Sequence, residues 1–295
     1  MPDPEILAIR EQIAARPNVT DIAQRRLDYD ARGKSFPLPA DVLVEQEDAN
    51  GVPAEWTRTP DSAPEHAVLY LHGGGYVIGS LDSHRHLAAE IGRQARAHVL
   101  AIDYRLAPEH PFPAPVEDAV AAYRFMMDSG IRPANIALAG DSAGGGLVVA
   151  AMLAIREAKL PLPACGWCIS PWVDMEAISK SFQDRAETDP TVQKAGIVDL
   201  AGIYLKGADP RHPHAAPVYG DLRGLPPLFI QVGAAETLLD DALWLAREAG
   251  KADVPVDLQI WPEMIHVWHQ FHQVLGAGQR AIEAGGAFIK NNLEG

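Results

Sequence analysis

The chain has 295 residues, 47% hydrophobic and 22% charged, enough to bury a large core without disulfides or a structural metal. Its net charge of −14 argues against a nucleic-acid surface or an anchor on anionic membrane, so neither partner is expected. Apolar stretches are broken by Gly, Pro, His or charge before the roughly 20 residues that a membrane span needs. The acidic start, Met1-Pro2-Asp3-Pro4-Glu5, lacks the basic and apolar regions of a secretory signal. With two cysteines, a cytoplasmic protein is the expectation.

In chain order, residues 1–40 read as helical and separate from the rest of the chain. Ile6, Leu7, Ile9 and Ile13 recur at helical spacing, and a second helix begins near Asp21. A hairpin runs from Val42-Leu43-Val44 to Ala54-Glu55-Trp56 through the turn dipeptide Asn50-Gly51. Strand-like runs then fall at Ala67–Leu71, Val99–Asp103, Ile136–Ala139, Ala164–Ser170, Leu228–Val232 and Val256–Trp261. Helical segments lie between them, at His86–Arg96, Pro115–Met127, Gly145–Ala158 and Asp240–Ala252. This alternation predicts an α/β fold with a mostly parallel sheet covered on both faces. Residues 174–225 interrupt it, too long a stretch for a plain connection. They are expected to join residues 1–40 in a cap over the strand ends, leaving core segments 41–173 and 226–295. Phe36 and Tyr204 are candidate pocket walls within that cap, with core packing the equal alternative.

Cys165-Gly166-Trp167-Cys168 has the spacing of a redox pair, but the stretch reads as a strand. Residues three apart on a strand face opposite ways with Cα atoms about 10 Å apart, beyond disulfide reach. Both are expected to be core cysteines.

The strongest chemical signal is Gly140-Asp141-Ser142-Ala143-Gly144, between the apolar strand Ile136–Ala139 and an Ala/Val/Leu-rich helix. A serine on so sharp a strand-to-helix turn is lifted clear of the sheet, and small neighbours let the backbones pass. Ser142 is the candidate nucleophile. His72-Gly73-Gly74-Gly75 comes directly after the strand Val68-Leu69-Tyr70-Leu71, and serial glycines let N–H groups face a developing oxyanion. Gly73 and Gly74 are the expected donors, joined by Ala143. No Gly-Lys-Ser/Thr is attached to it, so a phosphate loop fits less well.

A serine hydroxyl needs a base, and the base needs an orienting acid. In this fold the order is serine, acid, histidine. Strand Leu228–Val232 leads to Glu236 with Asp240 close behind, and strand Val256–Trp261 leads to His266. His269 and His272 read as packing or surface positions on a helix just beyond, and His212 and His214 as bland loop positions. No metal-ligand spacing is present, and neither cofactor nor metal is expected.

Together with Asp103-Tyr104-Arg105-Leu106-Ala107-Pro108-Glu109-His110-Pro111-Phe112-Pro113-Ala114, Ser170-Pro171-Trp172 and His266-Val267-Trp268, these motifs resemble the hormone-sensitive-lipase-like branch of the α/β-hydrolases, the bacterial family IV esterases. The resemblance covers the chain from about residue 40 onward. It implies a mostly parallel eight-stranded sheet, a helical cap built from the N-terminus and an insertion, hydrolysis of short-chain acyl esters, no cofactor, and a homodimer, as in many members. One segment departs from the pattern. The family's acid stretch commonly reads Asp-Pro-Leu-x-Asp-Glu, with the first Asp in the triad. Here the aligned stretch is Glu236-Thr237-Leu238-Leu239-Asp240-Asp241, which places the acid on Glu236, with Asp240 next in line.

The expected reaction is acyl transfer by Ser142 through an acyl-enzyme, on a small-molecule ester. A lactone, an amide or an acetylated natural product would use the same triad. A non-catalytic small-molecule receptor on this scaffold is the rival of another class, and retention of Ser142, an acid and His266 speaks against it.

Overall fold

The computed structural model of the chain describes residues 4–17 and 19–293. Its elements are α1 (Pro4–Ala14), α2 (Ile22–Lys34), β1 (Leu43–Asp48), β2 (Pro53–Arg58), β3 (Ala63–Leu71), α3 (Leu81–Ala95), β4 (Ala97–Ile102), α4 (Ala114–Asp128), β5 (Ile136–Asp141) and α5 (Ala143–Glu157). Then come β6 (Cys165–Ile169), α6 (Ser181–Asp184), α7 (Lys194–Leu205), β7 (Leu228–Gly233), α8 (Leu239–Lys251), β8 (Val256–Trp261) and α9 (Gly276–Leu293).

The strands make one sheet in the order β1-β2-β4-β3-β5-β6-β7-β8. β1 and β2 form the expected hairpin, with Asn50 and Gly51 both at positive φ (58° and 88°), as a tight turn between twisted strands requires. β2 is antiparallel to β4, and from β4 onward every pairing is parallel. The result is the eight-stranded α/β-hydrolase sheet.

Alternation along each central strand divides the core into two layers. On β3, Leu69 and Leu71 join Val116, Leu147 and Leu153 of α4 and α5, whereas Val68 and Tyr70 join Leu87, Ile91, Ile282 and Ile289 of α3 and α9. Cys165 and Cys168 obey the same rule. They are free, buried and in opposite layers, and burial pushes the Cys165 thiol up to about 12.

Three features differ from the sequence expectation. Helix α9 has no counterpart in the sequence reading, and Gly278, Gly285 and Gly286 take three positions of its buried face. Gly285 is there for close approach, since a Cβ would enter the indole of Trp167. His269 and His272 do not lie on a helix like those around them. They sit in and just after a 3-10 turn, Trp268–Phe271, which Val267 enters at φ 50°.

Nor do the first forty residues stand apart. Ile6, Ile9 and Ile13 pack against Ala235, Met264, Ile265 and Trp268, while Leu7 is exposed. Each buried isoleucine contributes roughly 2 kcal/mol, so α1 clamps the loops at the ends of β7 and β8. α2 takes Asp21 as its N-cap, the carboxylate accepting from Gln24 N–H at 2.8 Å. Its Ile22 and Tyr29 pack, as do Leu200 and Ile203, on the cluster of Val77, Ile78 and Ala107. Among the described residues, no helix is long and apolar enough to cross a membrane.

Candidate active site

Four loops leave the carboxyl ends of β3, β5, β7 and β8, where open parallel sheets place their ligands. The sharpest is the one after β5. Ser142 adopts φ 55° and ψ −120°, a conformation costly for a side-chain-bearing residue, and its carbonyl accepts from Gly146 N–H and Trp172 N–H at 3.1 and 3.0 Å. Gly144 makes the turn possible, because a Cβ there would collide with the Leu71 carbonyl at the end of β3. Ser142 is thereby held at the mouth of α5, 8% exposed.

The loops after β7 and β8 bring their side chains to it. His266 Nε2 lies 2.9 Å from Ser142 Oγ, and His266 Nδ1 lies 2.9 Å from Glu236 Oε2. With Nδ1 facing a carboxylate, the neutral ring keeps its proton there and leaves Nε2 to accept from the serine hydroxyl. Burial pushes the Glu236 carboxyl up, against the pull of His266. For His266, burial acts downward, but the hydrogen bond and charge of Glu236 outweigh it and leave the imidazole above its ordinary value. Glu236 Oε1 is satisfied independently, accepting from Ser170 Oγ at 2.7 Å and Gly233 N–H at 2.6 Å.

Sequence reasoning assigns Ser170 no role of its own, yet the structure gives it one. Its hydroxyl donates to Glu236 and accepts from Val267 N–H at 3.2 Å, so one side chain ties the acid to the histidine loop. The signal in the sequence is a polar residue ending the buried strand β6, midway between β5 and β7.

The loop after β3 requires a correction. Gly73 is expected to offer its N–H to an oxyanion, but that group already donates to Asp141 Oδ1 at 3.0 Å. Among the described residues the next N–H groups, of Gly74 and Gly75, have no acceptor, and neither has that of Ala143. Leu200 of α7 covers Gly75 from above. Asp141 also accepts from Tyr70 Oη at 2.6 Å, with His84 Nε2 at 3.4 Å from its other oxygen. Burial raises the Asp141 carboxyl, yet His84 and these donors bring it down to about 2. His72 keeps its ring out of the site. Its Nδ1 meets Gly73 O at 2.8 Å, and its face stacks on Tyr104 at 4.2 Å.

The rival residues go elsewhere. Asp240 Oδ2 accepts from Ser181 N–H at 2.8 Å, supporting a loop. His269 Nε2 is 2.9 Å from Gln231 Oε1, His272 stacks on His86, and His214 faces Glu157. Tyr204 is fully buried and stacks on Tyr76 at 3.9 Å, so it packs the joint between α7 and the glycine loop. Phe36 stacks on His86 beneath α2.

This arrangement has known counterparts. A sequence model of the α/β-hydrolase fold matches residues 68–270. The chain is 47% identical to an acetyl-hydrolase from Streptomyces hygroscopicus over 98% of its length and 97% of that protein. It is 36% identical to carboxylesterase NlhH from Mycobacterium tuberculosis, over 77% and 73% of the two chains. A crystal structure of an esterase from the bacterial hormone-sensitive lipase family superposes with a TM-score of 0.97 at 48% identity, covering 99% of both chains. The chain belongs to the hormone-sensitive-lipase-like esterases of the α/β-hydrolase family.

In this esterase the acid loop is fastened to the 174–225 insertion at several points. Asp189 Oδ2 accepts from Thr237 N–H at 2.9 Å, Thr188 Oγ1 donates to Ala235 O at 3.0 Å, and Ser181 Oγ donates to Thr237 O at 2.6 Å. Asp241 accepts from Val173 N–H and Asp174 N–H at 3.0 and 3.1 Å. Glu236 therefore sits on a backbone with little freedom, and Ser170 supplies the last constraint. Ser170→Ala is expected to lower kcat on a p-nitrophenyl ester about tenfold, the loss of one charge-assisted hydrogen bond, with KM nearly unchanged. Steady-state kinetics checks this; an unchanged kcat would deny Ser170 a positioning role.

Proposed function

We propose that this carboxylic ester hydrolase works through Ser142 as nucleophile, His266 as general base and acid, and Glu236 as the orienting carboxylate. The observation that carries the reading is the unbroken chain Ser142 Oγ to His266 Nε2 to Glu236 Oε2, both links at 2.9 Å. His266 takes the serine proton as Oγ attacks the ester carbonyl, and Glu236 stabilises the imidazolium. The free N–H groups of Gly74, Gly75 and Ala143 receive the oxyanion, each such donor being worth roughly 3 kcal/mol of barrier. Imidazolium then protonates the leaving alcohol, and water repeats the sequence on the acyl-enzyme. Glutamate serves as well as aspartate here because Ser170 and Gly233 fix its second oxygen.

The 174–225 insertion and α2 act as the cap. Leu200 lies against Gly75, and Leu200, Ile22 and Tyr29 pack on Val77, Ile78 and Ala107, an apolar surface near the glycine loop suited to a short acyl chain. The relative named acetyl-hydrolase points the same way, toward a small acyl group that includes acetylated natural products.

On p-nitrophenyl esters from acetyl to palmitoyl, the rate is expected to peak at short chains and to fall by about 10⁴ or more in Ser142→Ala. Turnover that survives in Ser142→Ala would exclude the serine mechanism. The pH profile gives a second check. His266 must be neutral to act, and its pKa is raised, so kcat/KM should fall as acid is added from a point above the ordinary imidazole value of about 6.5. A flat profile between about pH 5 and 8 would remove His266 from the base role.

A further inference from the structure

The loop after β3 turns back on itself through one carbonyl. Gly74 O accepts from Val77 N–H at 3.2 Å and from Ile78 N–H at 3.0 Å. A peptide group is rigid and planar, so fixing its carbonyl also fixes the direction of its N–H. Gly74 O and Gly75 N–H belong to one such group, and Gly75 N–H is among the donors proposed above for the oxyanion. The turn is tight: Gly74 stands at φ 120°, and a Cβ there would meet Ile78 O.

The two groups that hold Gly74 O are held in their turn. Val77 N–H shares its peptide group with Tyr76 O, which accepts from Ala107 N–H at 2.9 Å. Ile78 N–H shares its group with Val77 O, which accepts from Arg26 Nε at 2.8 Å. Arg26 Nη2 also donates to Ala107 O at 3.0 Å, and the guanidinium closes on Glu109 at 2.8 and 3.0 Å. Among the described residues, no other donor reaches Val77 O or Ala107 O. Arg26 belongs to α2, 51 and 81 residues before the two carbonyls that it bonds. Ile22 and Tyr29, on the same helical face, pack on Val77, Ile78 and Ala107, so the helix is seated where its arginine can reach.

We propose that Arg26 is a positioning residue for ester hydrolysis, bonding Val77 O and Ala107 O to hold the turn that aims Gly75 N–H at the oxyanion. The N-terminal helix α2 thereby supplies a part of the donor frame. The hydrogen bonds run in one direction, from guanidinium to Val77 C=O, from Ile78 N–H to Gly74 C=O, and from Gly75 N–H outward. A charged donor at the head of such a series polarises the groups behind it. A planar fork can serve both carbonyls and Glu109 at once, which a compact ammonium cannot. The inference rests on the oxyanion reading and extends it to a residue that touches no substrate.

The test is steady-state kinetics on p-nitrophenyl butyrate with Arg26→Gln, Arg26→Lys and Asp21→Ala. Asp21→Ala removes the N-cap of α2 and weakens the helix without touching the turn. Arg26→Gln is expected to lower kcat at least about tenfold with KM nearly unchanged. Arg26→Lys keeps the charge opposite Glu109 but not the fork, and should lose at least about threefold. Asp21→Ala should melt at a lower temperature and keep the parent kcat. A trifluoromethyl ketone, whose adduct with Ser142 carries the oxyanion, should bind both Arg26 variants more weakly by the factor lost from kcat/KM. Parent kcat in both Arg26 variants, a loss confined to KM, or an equal loss of kcat in Asp21→Ala overturns the proposal. So does inhibitor affinity that stays at the parent value while kcat falls. Failure of the triad reading shows separately, as turnover that survives in Ser142→Ala.

Discussion

A buried carboxylate is costly to hold ionised, and Asp141 pays that cost at the end of β5, one residue before Ser142, the proposed nucleophile. Its Oδ1 collects the hydroxyl of Tyr70 and the N–H of Gly73, and His84 stands beside Oδ2. The hydrogen bond to Gly73 matters most. It joins the loop carrying Ser142 to the loop after β3, so nucleophile and glycine backbone cannot drift apart independently. It also engages one N–H of that loop and leaves those of Gly74 and Gly75 for other work. The spacing between Oγ and those donors is thus set by a side chain that touches no substrate. A displacement of about 1 Å in such a frame can cost a hundredfold in rate, which is why the constraint is buried.

The far side of the site uses the same logic with different parts. Ser170 bridges Glu236 and Val267, α1 packs its isoleucines beneath both loops, and Asp189, Ser181 and Asp241 fasten the acid loop to the insertion. The proposed catalytic residues and the 174–225 insertion are therefore joined by direct hydrogen bonds. Residues 181–189 of the insertion are tied to the acid loop, and α7 rests on the glycine loop through Leu200 and Tyr204.

Much of this is legible in the sequence because the physics is local. The elbow needs small residues beside Ser142, and the strand before it is continuous and apolar. Glu236 and His266 each fall just past a predicted strand, and parallel topology does the rest. The glycine loop after β3 is legible as a loop but not in its detail: nothing in His-Gly-Gly-Gly says that the first glycine's N–H is taken by an aspartate 68 residues away. Helix α9 is hidden for a similar reason, since its glycines answer to Trp167 and α3 across the fold and not to helical propensity. What Ser170 bridges, and what the isoleucine face of α1 packs against, likewise depend on tertiary neighbours.

Covalent trapping examines the central assignment most directly. The enzyme would be treated with diethyl p-nitrophenyl phosphate and its peptides analysed by mass spectrometry. The account predicts one diethylphosphoryl group per chain, on the peptide containing Ser142, formed far more slowly in His266→Gln and absent in Ser142→Ala. A label on another serine, or none in active enzyme, would contradict it.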